Sequence, residues 1–341
     1  MENSIVFLGT GGTIAGSASS AQDNLSYTSG RVALADLLGG LPGLPERLGG
    51  RNVRHEQVFQ EDSKDLDPAH WQLLGERVAH YLADTGVDGV IITHGTDTLE
   101  ETAYFLLRFL PADLIAKKPV VMTCAMRPAT SLAPDGPQNL RDAVVVACAA
   151  GACGVLLVCQ GQAHSALHLQ KVHPYQLNAF DSGEFSPVAV VEETDVRMVG
   201  GWPIPVISRP IAGLAQERPR NDAIHWPRVE ILLSHAGANG ALVRALCASL
   251  QAGDPPLAGL VVAGTGNGTI HRDLELALRA ALGQGIAVIR TTRCPRGRVL
   301  ARADGRGSEF PAVDLSPVKA RIELMLQLRG VPAVWAAQRI S

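Results

Sequence analysis

Near the start of the chain stands Ile5-Val6-Phe7-Leu8-Gly9-Thr10-Gly11-Gly12-Thr13-Ile14-Ala15-Gly16, and its reading decides the fold. Residues 5–8 form a short apolar run of the kind that makes a buried strand. The run stops at a cluster of glycine and threonine, and glycine lets a backbone turn sharply and approach a ligand closely. Thr10 and Thr13 are thereby hydroxyls displayed at the C-terminal end of a strand, where open α/β sheets bind ligands. Taken alone, the stretch fits four roles. A dinucleotide fingerprint needs a helix directly after the glycines, but residues 17–29 are small and polar and read as a flexible loop. A phosphate loop needs a Gly-Lys-Ser/Thr sequence, which does not follow. A nucleophilic threonine on a tight turn and an ordinary strand-to-loop turn both stay open.

Outward from that stretch, strand-like and helix-like runs alternate. Residues 87–92 read as a buried strand ending at Thr93-His94-Gly95-Thr96-Asp97. A helix follows, with Leu99, Ala103, Leu106, Leu107 and Leu110 on one face. Thr98 with Glu101 predicts a capping box, so the helix starts at about Thr98. Thr96 and Asp97 thus sit between a strand end and a helix N-terminus, which favours negative charge. Strands are expected over 119–124 and 155–159, with a helix over 139–150 between them. The pattern then breaks at Pro203, Pro205, Pro210 and Pro219. Strands over 229–233, 257–263 and 286–290 and helices over 240–250 and 272–282 resume it. A last helix has Ser316 as N-cap, Pro317 at its first position and Gly330 after its end. Such alternation predicts an α/β protein: a larger N-terminal domain with a mostly parallel sheet flanked by helices, and a second α/β domain. The expected boundaries are 1–203 for the catalytic domain, 204–224 for a linker and 225–341 for the C-terminal domain.

Bulk properties narrow the function. The 341 residues carry a net charge of −3 with no Lys/Arg-rich run, which argues against a nucleic-acid or anionic-membrane partner. No apolar run reaches membrane-spanning length. The six cysteines show no Cys-x-x-Cys spacing and read as reduced thiols. With no basic N-terminal region and no long apolar run after it, the chain reads as cytoplasmic. His164 and His168 have a spacing that would place both rings on one helix face. No Glu sits between them and Pro174 follows His173, so no metal site is expected.

Two long segments then carry a resemblance. Gly9-Thr10-Gly11-Gly12-Thr13-Ile14-Ala15-Gly16 and Ile92-Thr93-His94-Gly95-Thr96-Asp97-Thr98-Leu99-Glu100-Glu101-Thr102-Ala103 resemble the signature segments of bacterial-type L-asparaginases. It continues through Ala125-Met126-Arg127-Pro128-Ala129-Thr130-Ser131, Val261-Val262-Ala263-Gly264-Thr265-Gly266-Asn267-Gly268 and Ser316-Pro317-Val318-Lys319-Ala320-Arg321. The resemblance implies that L-asparagine is hydrolysed to aspartate and ammonia through a threonine-bound acyl-enzyme, with weaker action on glutamine and no cofactor.

Residue by residue, the resemblance implies Thr13 as nucleophile and Tyr27 as the lid tyrosine bonded to it. It implies Thr96 as second threonine, Asp97 as the carboxylate for the substrate's α-ammonium, and Lys171 behind Thr96. Ser63 matches the serine that holds the α-carboxylate, and the carbonyl of Ala125 the acceptor for the amide nitrogen. Lys64 departs from the Gln or Glu expected there. Either it points to solvent, with Asp62 or Asp65 acting locally, or the loop itself differs. Backbone N–H groups near Thr96 are expected to serve the oxyanion. The base that takes the Thr13 proton stays open between Tyr27 and the Thr96–Lys171 pair. The resemblance further implies a flavodoxin-like C-terminal domain and a homotetramer of close dimers, in which Asn239 and Asp304 complete a neighbour's site. The alternative is the amidase subunit of a tRNA-dependent amidotransferase, for which an N-terminal extension would be expected.

Overall fold

The computed structural model describes residues 3–203, 226–248, 255–301 and 309–331. The chain divides into two units, Met1–Val206 and Ile207–Ser341. The expected linker over 204–224 and the candidate Asp304 lie outside the described residues.

The first unit is built on an eight-stranded sheet. Its strands in chain order are β1 Ser4–Gly11, β2 Asn52–Glu61, β3 Val87–Thr93, β4 Pro119–Thr123, β5 Gly154–Cys159, β6 Gln162–Ser165, β7 Ala189–Glu192 and β8 Asp195–Met198. Across the sheet the order is β8-β7-β6-β5-β4-β3-β1-β2. The first five strands pair in parallel and the last three in antiparallel fashion. The α/β expectation therefore holds. From β1 the chain pairs β2 on one side and then crosses to β3 on the other. The strand order reverses at β1, and in open α/β sheets such a reversal opens a ligand crevice at the C-terminal strand ends.

Apolar strands make both faces of this sheet. Ile5, Phe7, Ile91, Val121, Leu156 and Val158 pack under Leu140, Ala143 and Val144 of the helix Gly136–Ala147. The alternate residues Val6, Leu8, Val90 and Ile92 are equally buried on the other face, as a period of two requires. There two further helices lie in chain order, Pro68–Ala83 and Leu99–Phe109, joined by Trp71 stacked on Phe105 at 5.6 Å. Burying each such Leu or Ile contributes roughly 1.5–3 kcal/mol, which fixes the strand ends relative to one another.

Some local expectations shift. The helix expected over 139–150 begins at Gly136, because Pro137 fits a first helical turn, whose N–H groups have no partner within the helix. Thr98 is the N-cap of its helix but makes no side-chain cap bond; its hydroxyl donates instead to the Ser63 carbonyl at 2.7 Å. His164 lies in strand β6, not on a helix shared with His168.

The second unit contains, among the described residues, three parallel strands, β9 Arg228–Leu233, β10 Leu257–Gly264 and β11 Ala287–Thr292, in that order. Helices Ala241–Ala248, Arg272–Gly283 and Pro317–Leu328 accompany them. Residues 249–250 of the helix expected over 240–250 lie outside the described set.

Candidate active site

Two loops at the strand reversal build the site. After β1, Gly11 and Gly12 take φ of +100° and +82°, conformations that L side chains rarely adopt. A short 3-10 turn, Thr13–Ala15, follows and buries Thr13. After β3, residues 94–97 run across the neighbouring strand end. The register aligns Gly9 with Thr93, and the Thr10 hydroxyl donates to the Thr93 carbonyl at 2.8 Å. Thr10 therefore ties the two strands together, which leaves Thr13 as the hydroxyl presented at the crevice.

Thr13 Oγ1 lies 2.6 Å from the Tyr27 hydroxyl. Tyr27 sits on a two-strand ribbon in which Ser17–Ala18 pairs with Tyr27–Thr28. The ring passes so close to Gly16 that a methyl group there would lie 2.7 Å from Tyr27 Cδ2. The loop is fastened on its far side, where Ala18 N–H donates to Thr130 Oγ1 at 2.8 Å and Leu132 N–H to the Ala21 carbonyl at 3.0 Å. Burial raises the Tyr27 pKa. The bond to Thr13 opposes that shift, and the charges of Asp97 and Asp62 add to it. Tyr27 is thus a neutral phenol near pH 7.

Across the crevice Lys171 Nζ donates to Thr96 Oγ1 at 3.0 Å and to Asp97 Oδ1 at 2.6 Å. Because Thr96 accepts that bond, its own hydroxyl proton stays available as a donor. Ser63 is buried at the N-terminus of a short turn, Ser63–Asp65, and its Oγ accepts the Asp97 N–H at 3.2 Å. That N–H, one of the donors near Thr96, is therefore already taken. Asp62 Oδ1 accepts the Lys64 N–H. Lys64 turns outward to a close ion pair with Asp65, the first of the two outcomes the sequence left open. Asp65 hydrogen-bonds the ammonium and raises its pKa.

Ala125 is buried beside the Thr13 loop: a methyl group on Gly136 would lie 2.9 Å from Ile14 Cγ1 and 3.4 Å from Ala125 Cβ. Two residues that the sequence reading passed over hold this segment. Asp135 accepts the N–H groups of Met126 and Arg127, each at 3.0 Å. Asn139, fully buried, donates to the Cys124 carbonyl at 2.9 Å and accepts the Gln160 N–H at 2.9 Å. The available signal was an acidic residue placed directly before a helix-starting Gly-Pro.

Thr13, Tyr27, Thr96, Asp97, Lys171, Ser63, Asp62 and Ala125 all belong to the first unit and line or support the ends of β1, β3 and β4. Asn239 belongs to the second unit, is exposed, and accepts the Ala241 N–H at 3.0 Å. The three histidines weighed as metal ligands are separately engaged. His164 bonds Ser182, His168 stacks on Phe185, and His173 Nδ1 accepts the N–H groups of Tyr175 and Gln176. Among the described residues no helix is long and apolar enough to cross a membrane.

A hydroxyl bonded to a phenol, facing a Thr–Lys–Asp set, is an arrangement for nucleophilic attack with proton transfer. Comparison with known proteins gives it a family. Residues 4–202 match the family described as asparaginase, N-terminal, and residues 228–332 match the glutaminase/asparaginase C-terminal domain. This chain belongs to the asparaginase family. It is 34% identical over 332 residues to the glutaminase-asparaginase of Pseudomonas fluorescens biotype A, covering 95% of this chain and 86% of that protein. It is also 34% identical over 333 residues to L-asparaginase 2 of Escherichia coli strain K12, covering 95% and 88%. The crystal structure of a probable cytoplasmic L-asparaginase from Campylobacter jejuni aligns with a TM-score of 0.81 at 31% identity, covering 96% of this chain and 95% of that one. The asparaginase resemblance carried by residues 9–16 and 92–103 therefore extends over nearly the whole length.

Proposed function

We propose that this asparaginase-family chain hydrolyses L-asparagine to L-aspartate and ammonia through a covalent ester on Thr13, with glutamine as a poorer substrate. The carrying observation is the pairing of Thr13 with Tyr27 at 2.6 Å, beside Thr96, Lys171 and Asp97 joined at 3.0 and 2.6 Å. Thr13 Oγ1 attacks the side-chain amide carbon, the C–N bond breaks, and ammonia leaves carrying the proton released by the hydroxyl. Water then attacks the ester, the carbon–Oγ bond breaks, and Thr13 recovers its proton. Splitting one hard substitution into two is the gain of covalent catalysis.

As a neutral phenol, Tyr27 orients and polarises Thr13 rather than standing ready as a base. In the proton route we assign, Lys171 acts as a neutral amine: its hydrogen bond with Thr96 reverses, so that Thr96 takes the Thr13 proton and passes its own to the Nζ lone pair, while an N–H of Nζ still meets Asp97. Asp97 keeps one carboxylate oxygen for the substrate's α-ammonium, with Asp62 beside it. Ser63 serves the α-carboxylate, and the Ala125 carbonyl the amide nitrogen. We further assign a cytoplasmic setting, supported by six free cysteines, and a homotetramer in which Asn239 and Asp304 serve a neighbour. No cofactor is needed for this chemistry. The domain boundaries at 1–203 and 225–341 belong to the same proposal.

Ammonia release from free asparagine by the purified chain tests the reading. The expected result is turnover that disappears in Thr13→Ala while the fold is kept. Retained turnover in that variant would remove Thr13 as nucleophile, and no turnover by the wild-type chain alone would remove the free amino acid as substrate.

A further inference from the structure

Lys171 stands on unusually little structure. Its strand is two residues long, Gln170–Lys171, and among the described residues its ladder partner is the equally short Phe180–Asp181, with Lys171 opposite Phe180. Two further backbone bonds, from Val172 N–H at 2.7 Å and His173 N–H at 3.3 Å to the Ala179 carbonyl, continue the pairing. A two-residue ladder by itself holds a lysine only weakly, since isolated hairpins are marginal in water, and the buried Leu169 and Ala179 beside it anchor the backbone rather than the direction of the lysine. Yet Lys171 must meet two groups at once, Thr96 and Asp97.

The segment that carries it leaves the main sheet after strand β6 and closes again at Ser182. At that neck His164 Nδ1 and Ser182 Oγ lie 2.8 Å apart. Both are buried, at 2% and 3% exposure. His164 is fixed from behind, because it sits within β6 opposite Leu157 of β5. Ser182 directly follows the strand that pairs with Lys171. A buried polar pair of this kind holds firmly, since separating its members leaves each without a partner.

We infer that His164 and Ser182 are positioning residues that clamp the neck of the Lys171 segment to the main sheet, so that Lys171 reaches Thr96 and Asp97 together. The inference rests on the role given to Lys171 above. The imidazole is neutral at working pH, because burial lowers its pKa to about 4 against a smaller opposite push from Asp181. A neutral ring keeps the neck uncharged. It offers Nδ1 as acceptor or donor to the one hydroxyl it meets. Among the described residues their side-chain hydrogen bond is to each other and not to a crevice side chain, so an effect on turnover is read through Lys171.

Asparagine turnover is compared in His164→Ala, His164→Asn and Ser182→Ala, each alone and combined with Lys171→Met. Asparagine at residue 164 places a polar atom near the position of Nδ1 and is the conservative variant. With Lys171 present, His164→Ala and Ser182→Ala are expected to lower kcat about 10- to 100-fold, the scale of a small misplacement of a reacting group. His164→Asn is expected to restore kcat to within about threefold of wild type. In the Lys171→Met background, whose residual turnover sets the second baseline, the same substitutions are expected to change kcat less than about twofold. Equal losses in both backgrounds would overturn the clamp, as would wild-type kcat in Ser182→Ala. If Lys171→Met itself keeps wild-type turnover, the role given to Lys171 fails first, and any loss in His164→Ala then also overturns the clamp. Ser182→Ala removes a single oxygen and carries the test if His164→Ala does not fold.

Discussion

Gly12 and Gly95 meet backbone to backbone: a methyl group on Gly12 would lie 2.3 Å from both the Cα and the nitrogen of Gly95. The next residue in each loop is a threonine, so this contact sets the separation of Thr13 and Thr96. A methyl group on Gly95 would in turn lie 2.6 Å from Ser63 Oγ and 3.1 Å from the Gly12 Cα. Three site loops are thus stacked without room for one added carbon.

Gly12→Ala is therefore expected to lose about 3 kcal/mol or more of stability, from overpacking and from a φ of +82° together. Gly183 also has a positive φ, +61°, but open space around it. Gly183→Ala is expected to cost only the backbone strain, about 1–2 kcal/mol. Urea denaturation of the two variants checks the difference, and equal losses would show that the close contact is not what matters.

The two threonines of the opening stretch are expected to part in their effects. Thr13→Ala should lower turnover on the order of 10³-fold or more with little change in melting temperature, as loss of a nucleophile does. Thr10→Val should do the reverse. It removes the buried bond to the Thr93 carbonyl, costs about 1–3 kcal/mol, and leaves most activity. Tyr27→Phe keeps the ring over Gly16 but not the 2.6 Å bond, and about 10²-fold loss of kcat is expected. Ammonia release and thermal melts on the same preparations read all three.

Legibility in the sequence followed burial. The strands at 5–8 and 87–92 stood out because both faces are apolar, and the glycine-threonine ends stood out because they interrupt such runs. Strand β2 did not, since it is the sheet edge and most of its residues are exposed. Its polar sequence, Asn-Val-Arg-His-Glu-Gln-Val-Phe-Gln-Glu, gives no apolar period. Yet the reversal of strand order at β1 depends on it. The Lys171 ribbon was illegible for a different reason: two residues carry no periodicity at all. Thr98 shows a third limit. Its spacing to Glu101 is that of a capping box, but the hydroxyl found a nearer acceptor in the Ser63 carbonyl, which only the fold brings there. Asp135, passed over in the sequence, lies eight and nine residues along the chain from the Arg127 and Met126 N–H groups that its carboxylate accepts, and only the fold brings them together.

That carboxylate gives a separable test of the Ala125 segment. Asp135→Ala strips the partner from two backbone N–H groups at once. Each unpaired group costs about 1–3 kcal/mol where it is buried from water. Because the segment leads directly from Ala125, the expected result is a raised KM for asparagine of about tenfold, with a smaller change in kcat. Asp135→Asn, which keeps one acceptor oxygen, should fall between the variant and wild type. A KM equal to wild type in Asp135→Ala would show that Ala125 is held without this bracket.

Acid should loosen the protein through two histidines. His94 is fully buried behind Thr96, with Nδ1 against the Gly95 carbonyl and no hydrogen-bond partner for Nε2 among the described residues. Burial lowers its pKa to about 4, as it does that of His164. In the unfolded chain both rings take up a proton near 6.5. Between those two values the unfolded state binds more protons, so stability rises with pH there. It is complete above about 6.5 and is lost as the pH falls toward 4, by up to roughly 3 kcal/mol per histidine. Melting temperature measured from pH 7.5 to 4 should decline through that window. His164→Asn, which cannot titrate, should decline about half as steeply between 6.5 and 4. A melting temperature that stays flat down to pH 4 would mean that neither ring is held neutral by burial.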